Sequence, residues 1–275
     1  MLRRMRLAVL GSGSGGNAAV IDAGGTRLLI DAGLSAKQIK LRLQAMGIAP
    51  ESLDGILLTH EHGDHVGGLR VLLKSCKLPV YATPATRQVV AENLDEVNWR
   101  IFESGRRFEI EGIEVESFLV PHDAVEPVGF VFRRDERCIG LVSDSGHVTP
   151  AILDRLREAQ VLFVEANYDD ALLEADQRRP WSTKQRIASR HGHLSNAQTA
   201  ALVAELAQGD LERVVLGHLS RDCNTPEVAV AAVRCDGVHV ACAIQDEPSG
   251  WHATPAAPCD IAFASDELFG GSSFE

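Results

Sequence analysis

Residues 57–65 read Leu57-Leu58-Thr59-His60-Glu61-His62-Gly63-Asp64-His65, an apolar strand end followed by three imidazoles and a carboxylate. In an extended segment His60 and His62 project to the same side, so both can reach one metal ion. Asp64 and His65 lie where the chain turns into the next helix and can reach a second ion.

Three further residues recur at the ends of apolar runs: His122 in LVPHDAV, Asp144 in LVSDSGH and His218 in VLGHLSR. A polar residue directly after a buried strand is a common place for a site residue, because the scaffold there is rigid and the loop is open. Taken singly, each is equally a satisfied histidine or a turn aspartate. With the first cluster they complete a two-metal ligand set.

Composition sets the frame for that site. The chain has 275 residues, of which 45% are hydrophobic and 24% charged, an ordinary globular make-up with ample material for a buried sheet. One large unit over residues 1–245 is expected. Beyond it, residues 246–275 are rich in Pro, Ser, Gly and Ala and read as a flexible or loosely docked tail. Within that tail, Asp266–Gly270 reads as acidic padding or as a docking motif.

The formal charge of -11 excludes a broad nucleic-acid-coating surface, since such binding rests on phosphate neutralisation by Lys and Arg. No stretch approaches the roughly 20 apolar residues needed to span a bilayer. The apolar run Leu7 to Leu10 is too short for a secretion signal, so a cytoplasmic protein without membrane partners is expected. Six scattered cysteines with no C-x-x-C pair argue for reduced thiols rather than a thiolate metal site.

Residues 11–16, Gly11-Ser12-Gly13-Ser14-Gly15-Gly16, match the dinucleotide fingerprint G-x-G-x-x-G letter for letter. That fingerprint requires a helix directly after the glycines. Here the glycines lead into a strand, Ala18 to Asp22, a hairpin at Ala23-Gly24-Gly25-Thr26 and another strand, Arg27 to Asp31. The first helix follows only after the Ser35–Gln38 capping box. A nucleotide cofactor is therefore excluded, and the loop is either a tight turn or a phosphate contact through Ser14 and Asn17.

Downstream, strands are expected at 55–58, 107–118, 128–133, 137–142, 161–165 and 214–216. Helices are expected at 66–73 and from 150 to about 157, after capping boxes at Ser182 and Ser195, and after Thr225-Pro226. Strand meanders alternating with helices across two halves predict two packed sheets with helices outside, not a doubly wound parallel sheet.

The pattern H-x-H-x-D-H, followed by His, Asp and His at successive strand ends, resembles the metallo-β-lactamase fold superfamily over residues 6 to about 240. The resemblance implies an αββα sandwich of two mixed sheets. It also implies a dinuclear site, with His60, His62 and His122 on one ion, Asp64, His65 and His218 on the other, and Asp144 bridging. Asp31 matches the family's early aspartate, a support behind the ligands. SGSGGN at 12–17, LLIDAGLS at 28–35, GHLSN at 192–196 and GHLSRDCNTPE at 217–227 are similar to the YycJ/WalJ branch of bacterial exonucleases. The chain departs from that branch at Tyr168, where a histidine is expected.

Two neighbouring divalent ions lower the pKa of a shared water from about 15.7 toward 7 and neutralise phosphate charge. Five histidines with two carboxylates suit zinc, and manganese fits a nuclease. True β-lactamases of this fold lack the bridging carboxylate, which sets this chain apart from them. Residues 177–196 carry Arg178, Arg179, Lys184, Arg186 and Arg190 with no acidic residue, which reads as a local phosphate-binding strip or as a solvated helix face. Trp181 in that strip is a base-stacking platform or a core or interface residue.

His193 precedes Ser195 and Asn196 at a helix N-terminus, where a phosphate would meet free N–H groups. The resemblance implies that His193 protonates the leaving group, with Asp64 and Asp144 as further catalytic residues. The expected function is a metal-dependent phosphodiester hydrolase, a DNA exonuclease of 5′ to 3′ polarity. The competing class is a small-molecule hydrolase of glyoxalase II-like thioester, lactone or cyclic phosphate type.

Overall fold

The computed structural model describes residues 4–94 and 96–255. Two seven-stranded sheets face each other. The first holds β1 (Met5–Gly11), β2 (Ala18–Ala23), β3 (Thr26–Ile30), β4 (Gly55–Leu57), β5 (Val80–Ala82), β6 (Trp99–Ile101) and β14 (His252–Ala253), in the order β14-β1-β2-β3-β4-β5-β6. The second holds β7 (Arg107–Ile110), β8 (Ile113–Leu119), β9 (Val128–Arg134), β10 (Arg137–Val142), β11 (Val161–Glu165), β12 (Arg213–Gly217) and β13 (His239–Cys242), in the order β13-β12-β11-β10-β9-β8-β7. Each sheet is an antiparallel meander continued by three parallel strands.

The strand period of two explains the layering. Leu28 and Ile30 of β3, Ile139 and Leu141 of β10, and Val161 and Phe163 of β11 point into the core between the sheets. Their neighbours Leu29, Cys138, Leu162 and Val164 point outward under helices. Because both faces are covered, these strands read as unbroken apolar runs rather than as an alternation. Helices α1 (Ala36–Ala45), α2 (Gly63–Val66), α3 (Leu69–Leu73) and α4 (Pro84–Ala91) belong to the first half. In the second, α5 (Pro150–Leu156), α8 (Asn196–Leu206) and α9 (Pro226–Val233) cover the outer face, while α6 (Asp170–Ala175) and α7 (Trp181–Ile187) cap its end.

Several local expectations are corrected. The helix at 66–73 is two helices, one ending at Val66 and one starting at Leu69, joined at Gly67-Gly68; a side chain on Gly68 would meet the Leu34 carbonyl at 1.9 Å, so the joint requires glycine there. The strand at 107–118 is a hairpin turning at Glu111-Gly112, with φ of 45° and 80°, a type I′ turn. Ser182 caps nothing, since α7 starts one residue earlier on the carbonyl of Pro180. Strands β5 and β6, three residues each, are too short to carry a periodicity and went unpredicted, as did α4, α6 and β13.

The expected domain end at 245 falls inside the sheet. β14 pairs with β1 (Leu7 opposite His252), and Arg6 lies 4.0 Å over the Trp251 ring. The Ser249 and Thr254 amides donate to the Val9 and Met5 carbonyls, each at 2.9 Å. Residues 256–275, including Asp266–Gly270, lie outside the described residues. Truncation after Asp246 therefore removes an edge strand, two backbone hydrogen bonds and a packed indole. At about 1 kcal/mol per net hydrogen bond plus the tryptophan burial, a loss on the order of 3–5 kcal/mol is expected in urea unfolding. An unchanged midpoint would show that β14 adds nothing to the fold.

Candidate metal centre

Strands β1, β3 and β4 of the first sheet run one way, as do β8, β10, β11 and β12 of the second. Every sequence-predicted ligand follows the carboxyl end of one of these seven strands, so the fold delivers them to one edge of the sandwich. Asp31, Asp144 and His218 adopt φ of 60°, 54° and 53°, left-handed values that are uncommon for side-chain-bearing residues and accumulate at functional sites. The turn out of each strand re-aims the side chain toward a shared centre.

His60, His62 and His122 bring ring nitrogens within 4.8 Å of one another, and a carboxylate oxygen of Asp64 and ring nitrogens of His65 and His218 gather within the same distance. Asp144 stands between the two groups. Its Oδ2 is 3.2 Å from His65 Nε2, and its Oδ1 is 3.4 Å from His218 Nε2 and 4.0 Å from His122 Nε2. Behind them Asp31 accepts from the Thr59 amide and hydroxyl and sits 2.8 Å from His65 Nδ1, which leaves Nε2 of that ring facing inward.

Burial opposes charge on Asp144, but His218, His65 and His60 hold its carboxyl well below the usual carboxylate range. Burial also opposes charge on His65, and Asp144 and Asp31 outweigh it, lifting that imidazole to about 10. These buried carboxylates require positive charge beside them. The Nε2 of His60 is buried with no hydrogen-bond partner among the described residues, an orphaned lone pair or proton of the kind that natural interiors avoid. An unpaired imidazole nitrogen beside two more imidazoles, with a carboxylate shared between two clusters, fits a pair of divalent cations.

One residue of the site escaped the sequence reading. Glu165, fully buried at the end of β11, places Oε1 2.6 Å from His193 Nδ1 and 3.0 Å from His218 Nδ1, while Oε2 accepts from the Ser145 amide at 2.9 Å. Burial works against charge on His193, and Glu165 more than compensates, raising it above the ordinary 6.5. The signal was present, since Glu165 closes the apolar run VLFVE as Asp144 and His218 close theirs. His122 Nδ1 is held 3.1 Å from the Gly192 carbonyl, which ties the segment before His193 to the ligand cluster.

A cavity of about 290 Å³ opens on this centre, lined by His62, Asp64, His122, Asp144, His193 and His218 together with Ser14. Four other expected substrate contacts are not in its wall. Asn17 is buried, with its amide spent on Ser12, Gly13 and Asp64. Ser195 closes a complete capping box with Gln198, which uses its hydroxyl and its amide, and Asn196 donates its backbone amide to the Tyr168 carbonyl and pairs its side chain with Asn224. Arg190 reaches out to His147.

The basic strip is largely neutralised. Arg178 pairs with Asp222, Arg179 with Asp176 and Asp222, and Arg186 with Asp123, while Lys184 donates to the Glu174 carbonyl. Only Arg179 and Arg186 of the five line the cavity. Trp181 is 69% exposed, which removes a core role. All five cysteines among the described residues are free thiols.

Comparison with known proteins agrees with this architecture. Residues 26–219 match the model of the β-lactamase superfamily domain. The chain belongs to the β-lactamase superfamily. Within the superfamily it is 36% identical over 229 residues to exodeoxyribonuclease WalJ of Streptococcus pneumoniae, covering 82% of this chain and 85% of that one. It is also 36% identical over 232 residues to exodeoxyribonuclease YycJ of Bacillus anthracis, covering 83% and 88%. Among solved structures, the metallo-β-lactamase fold protein YhfI of Bacillus subtilis superposes with a TM-score of 0.71 at 16% identity, over 89% of this chain and 98% of that one. The fold is thus the metallo-β-lactamase fold. Among the described residues no helix is long and apolar enough to cross a membrane.

Proposed function

We propose that this chain is a metal-dependent phosphodiesterase that trims DNA from its ends, with His60, His62 and His122 holding one divalent ion, Asp64, His65 and His218 a second, and Asp144 shared. The observation that carries the proposal is the position of Asp144 between two donor clusters, beside a histidine whose Nδ1 is fixed by a buried glutamate. When bound, such ions make a water acidic near neutral pH and neutralise phosphate charge. The donor set favours zinc and accommodates manganese.

The chain's own groups supply the remainder. Asp64 has a side chain 27% exposed, more than Asp144 or Asp31, and takes the proton of the attacking water. Water oxygen bonds to phosphorus in line with the leaving oxygen, and the P–O bond to that oxygen breaks. His193, with Nδ1 committed to Glu165 and a raised affinity for its proton, presents Nε2–H to the cavity and protonates the leaving oxygen. Glu165 is a positioning residue, since it fixes the tautomer of both His193 and His218. The names of the WalJ and YycJ relatives support DNA as substrate, and the family resemblance supports 5′ to 3′ polarity.

The test is a substrate panel for metal-reconstituted protein: end-labelled single- and double-stranded DNA, RNA, a phosphodiester dye and a thioester. Release of nucleotides from DNA ends is expected. Fast thioester cleavage with intact nucleic acid would replace this reading by the small-molecule hydrolase.

A further inference from the structure

Three arginines, Arg179, Arg186 and Arg221, line the cavity over the candidate centre. The first two are held by carboxylates, and Asp222, the acid next to Arg221, is already shared between Arg178 and Arg179. Arg221 is exposed and has no hydrogen-bond or ion-pair partner among the described residues. It lies across the glycine turn, where a Cβ on Gly15 would come within 3.2 Å of its guanidinium. Beside it Ser14 is exposed, lines the same cavity and has no partner among the described residues.

The turn is held in shape from 230 residues away. Gln245 accepts from the Gly15 amide at 2.8 Å and donates to the Gly16 carbonyl at 2.7 Å, and its own carbonyl accepts from Arg42 at 2.8 Å. Gly16 has φ of 136°, and a Cβ there would meet the Gly33 carbonyl at 2.7 Å, so the turn admits only glycine at that position. The fixed turn thus presents one free hydroxyl at the rim of the cavity, beside the guanidinium of Arg221 from the segment after β12, which is unneutralised among the described residues.

We infer that Arg221 and Ser14 bind a second, uncleaved phosphate of the substrate strand, and so make the site select a polyanion over a single ester. This inference rests on the phosphodiesterase reading above. Phosphates recur at short regular intervals along a strand, so a diester placed at His193 brings its neighbour to the rim of the same cavity. A guanidinium with no protein partner offers a phosphate its paired donors without first breaking an ion pair. The ligand is either an internal phosphate or the terminal 5′-phosphate of the strand.

The test compares wild type, Arg221→Ala, Arg221→Lys and Gln245→Ala on DNA with 5′-phosphoryl and 5′-hydroxyl ends over a series of salt concentrations. Arg221→Ala is expected to raise KM on DNA about 10- to 100-fold, the scale of a charge-assisted contact, with a much smaller change in kcat. The slope of log(kcat/KM) against log[salt] should fall by about 0.7–0.9, the signature of one lost phosphate contact. Arg221→Lys restores the slope, whereas Gln245→Ala raises KM and leaves the slope in place. Arg87→Ala removes an exposed cation on α4 and leaves KM and slope unchanged.

A penalty confined to 5′-phosphoryl ends identifies the terminal phosphate as the ligand, and an equal penalty on both ends identifies an internal one. Unchanged KM and slope in an Arg221→Ala protein of normal melting temperature, with wild type active on DNA, overturns the inference alone. Wild type inactive on DNA and active on the thioester overturns the parent reading instead.

Discussion

Asp144→Asn is expected to lower kcat/KM on DNA by at least about 10³-fold, roughly 4 kcal/mol of transition-state stabilisation, and to leave fewer than two metal ions per chain. Asparagine is the informative replacement because residue 144 has φ of 54°, a left-handed conformation that Asn tolerates and Ala does not. The backbone therefore keeps its course, and only the charge facing His65, His218 and His122 is removed. Three imidazoles and a neutral amide hold a divalent cation poorly compared with a shared carboxylate. Metal analysis of the dialysed variant checks the cause separately from the rate. Two tightly held ions at wild-type activity would remove Asp144 from the centre.

His193→Ala should also lower kcat, by about 10²–10⁴-fold, the usual worth of a general acid, but with metal content intact. The distinction follows from geometry. His193 lies close to Asp144, Glu165 and His218, but it commits Nδ1 to Glu165 at 2.6 Å and stands outside the two donor groups His60/His62/His122 and Asp64/His65/His218. Glu165→Gln probes the same proton from behind. The amide cannot hold His193 in its raised, protonated form, so the alkaline limb of the kcat profile should shift to lower pH, and turnover should fall by about 10–100-fold, as for outer-shell partners. Because Glu165 also touches His218 Nδ1 at 3.0 Å, weakened metal retention should accompany that loss and be absent from His193→Ala. A single profile for both variants would contradict the separate roles given to these residues.

The cluster proposed as a metal centre is legible in sequence because its residues obey a local rule. His122, Asp144 and His218 each follow an apolar run, and His60 to His65 follow another, so strand ends nominated the side chains, while their allotment to two ions came from the resemblance to the metallo-β-lactamase fold. Glu165 obeys the same rule, but VLFVE by itself reads as a buried strand and does not mark its last residue as part of a site. The substrate side was less legible for a different reason. Ser195, Asn196 and Asn17 look available in sequence, yet their hydrogen-bonding capacity is consumed by a capping box, an Asn224 partner and the glycine turn. Which donors remain free depends on long-range neighbours such as Asp123 for Arg186 and Asp222 for Arg179. Arg221 stands out only once those pairings are known. The fold class followed from the meanders and helix starts, while the inner strand β5 and the edge strands β6 and β14 carried too few residues to be seen.

The central claim, that this constellation is a two-ion phosphodiesterase centre, is tested most directly by titrating chelator-stripped protein with Zn²⁺ or Mn²⁺. Hydrolysis of end-labelled DNA is then plotted against metal bound per chain. The account predicts no cleavage by the stripped protein and a rise to a plateau at two ions per chain. Full cleavage by stripped protein, or none at two ions bound, would contradict it.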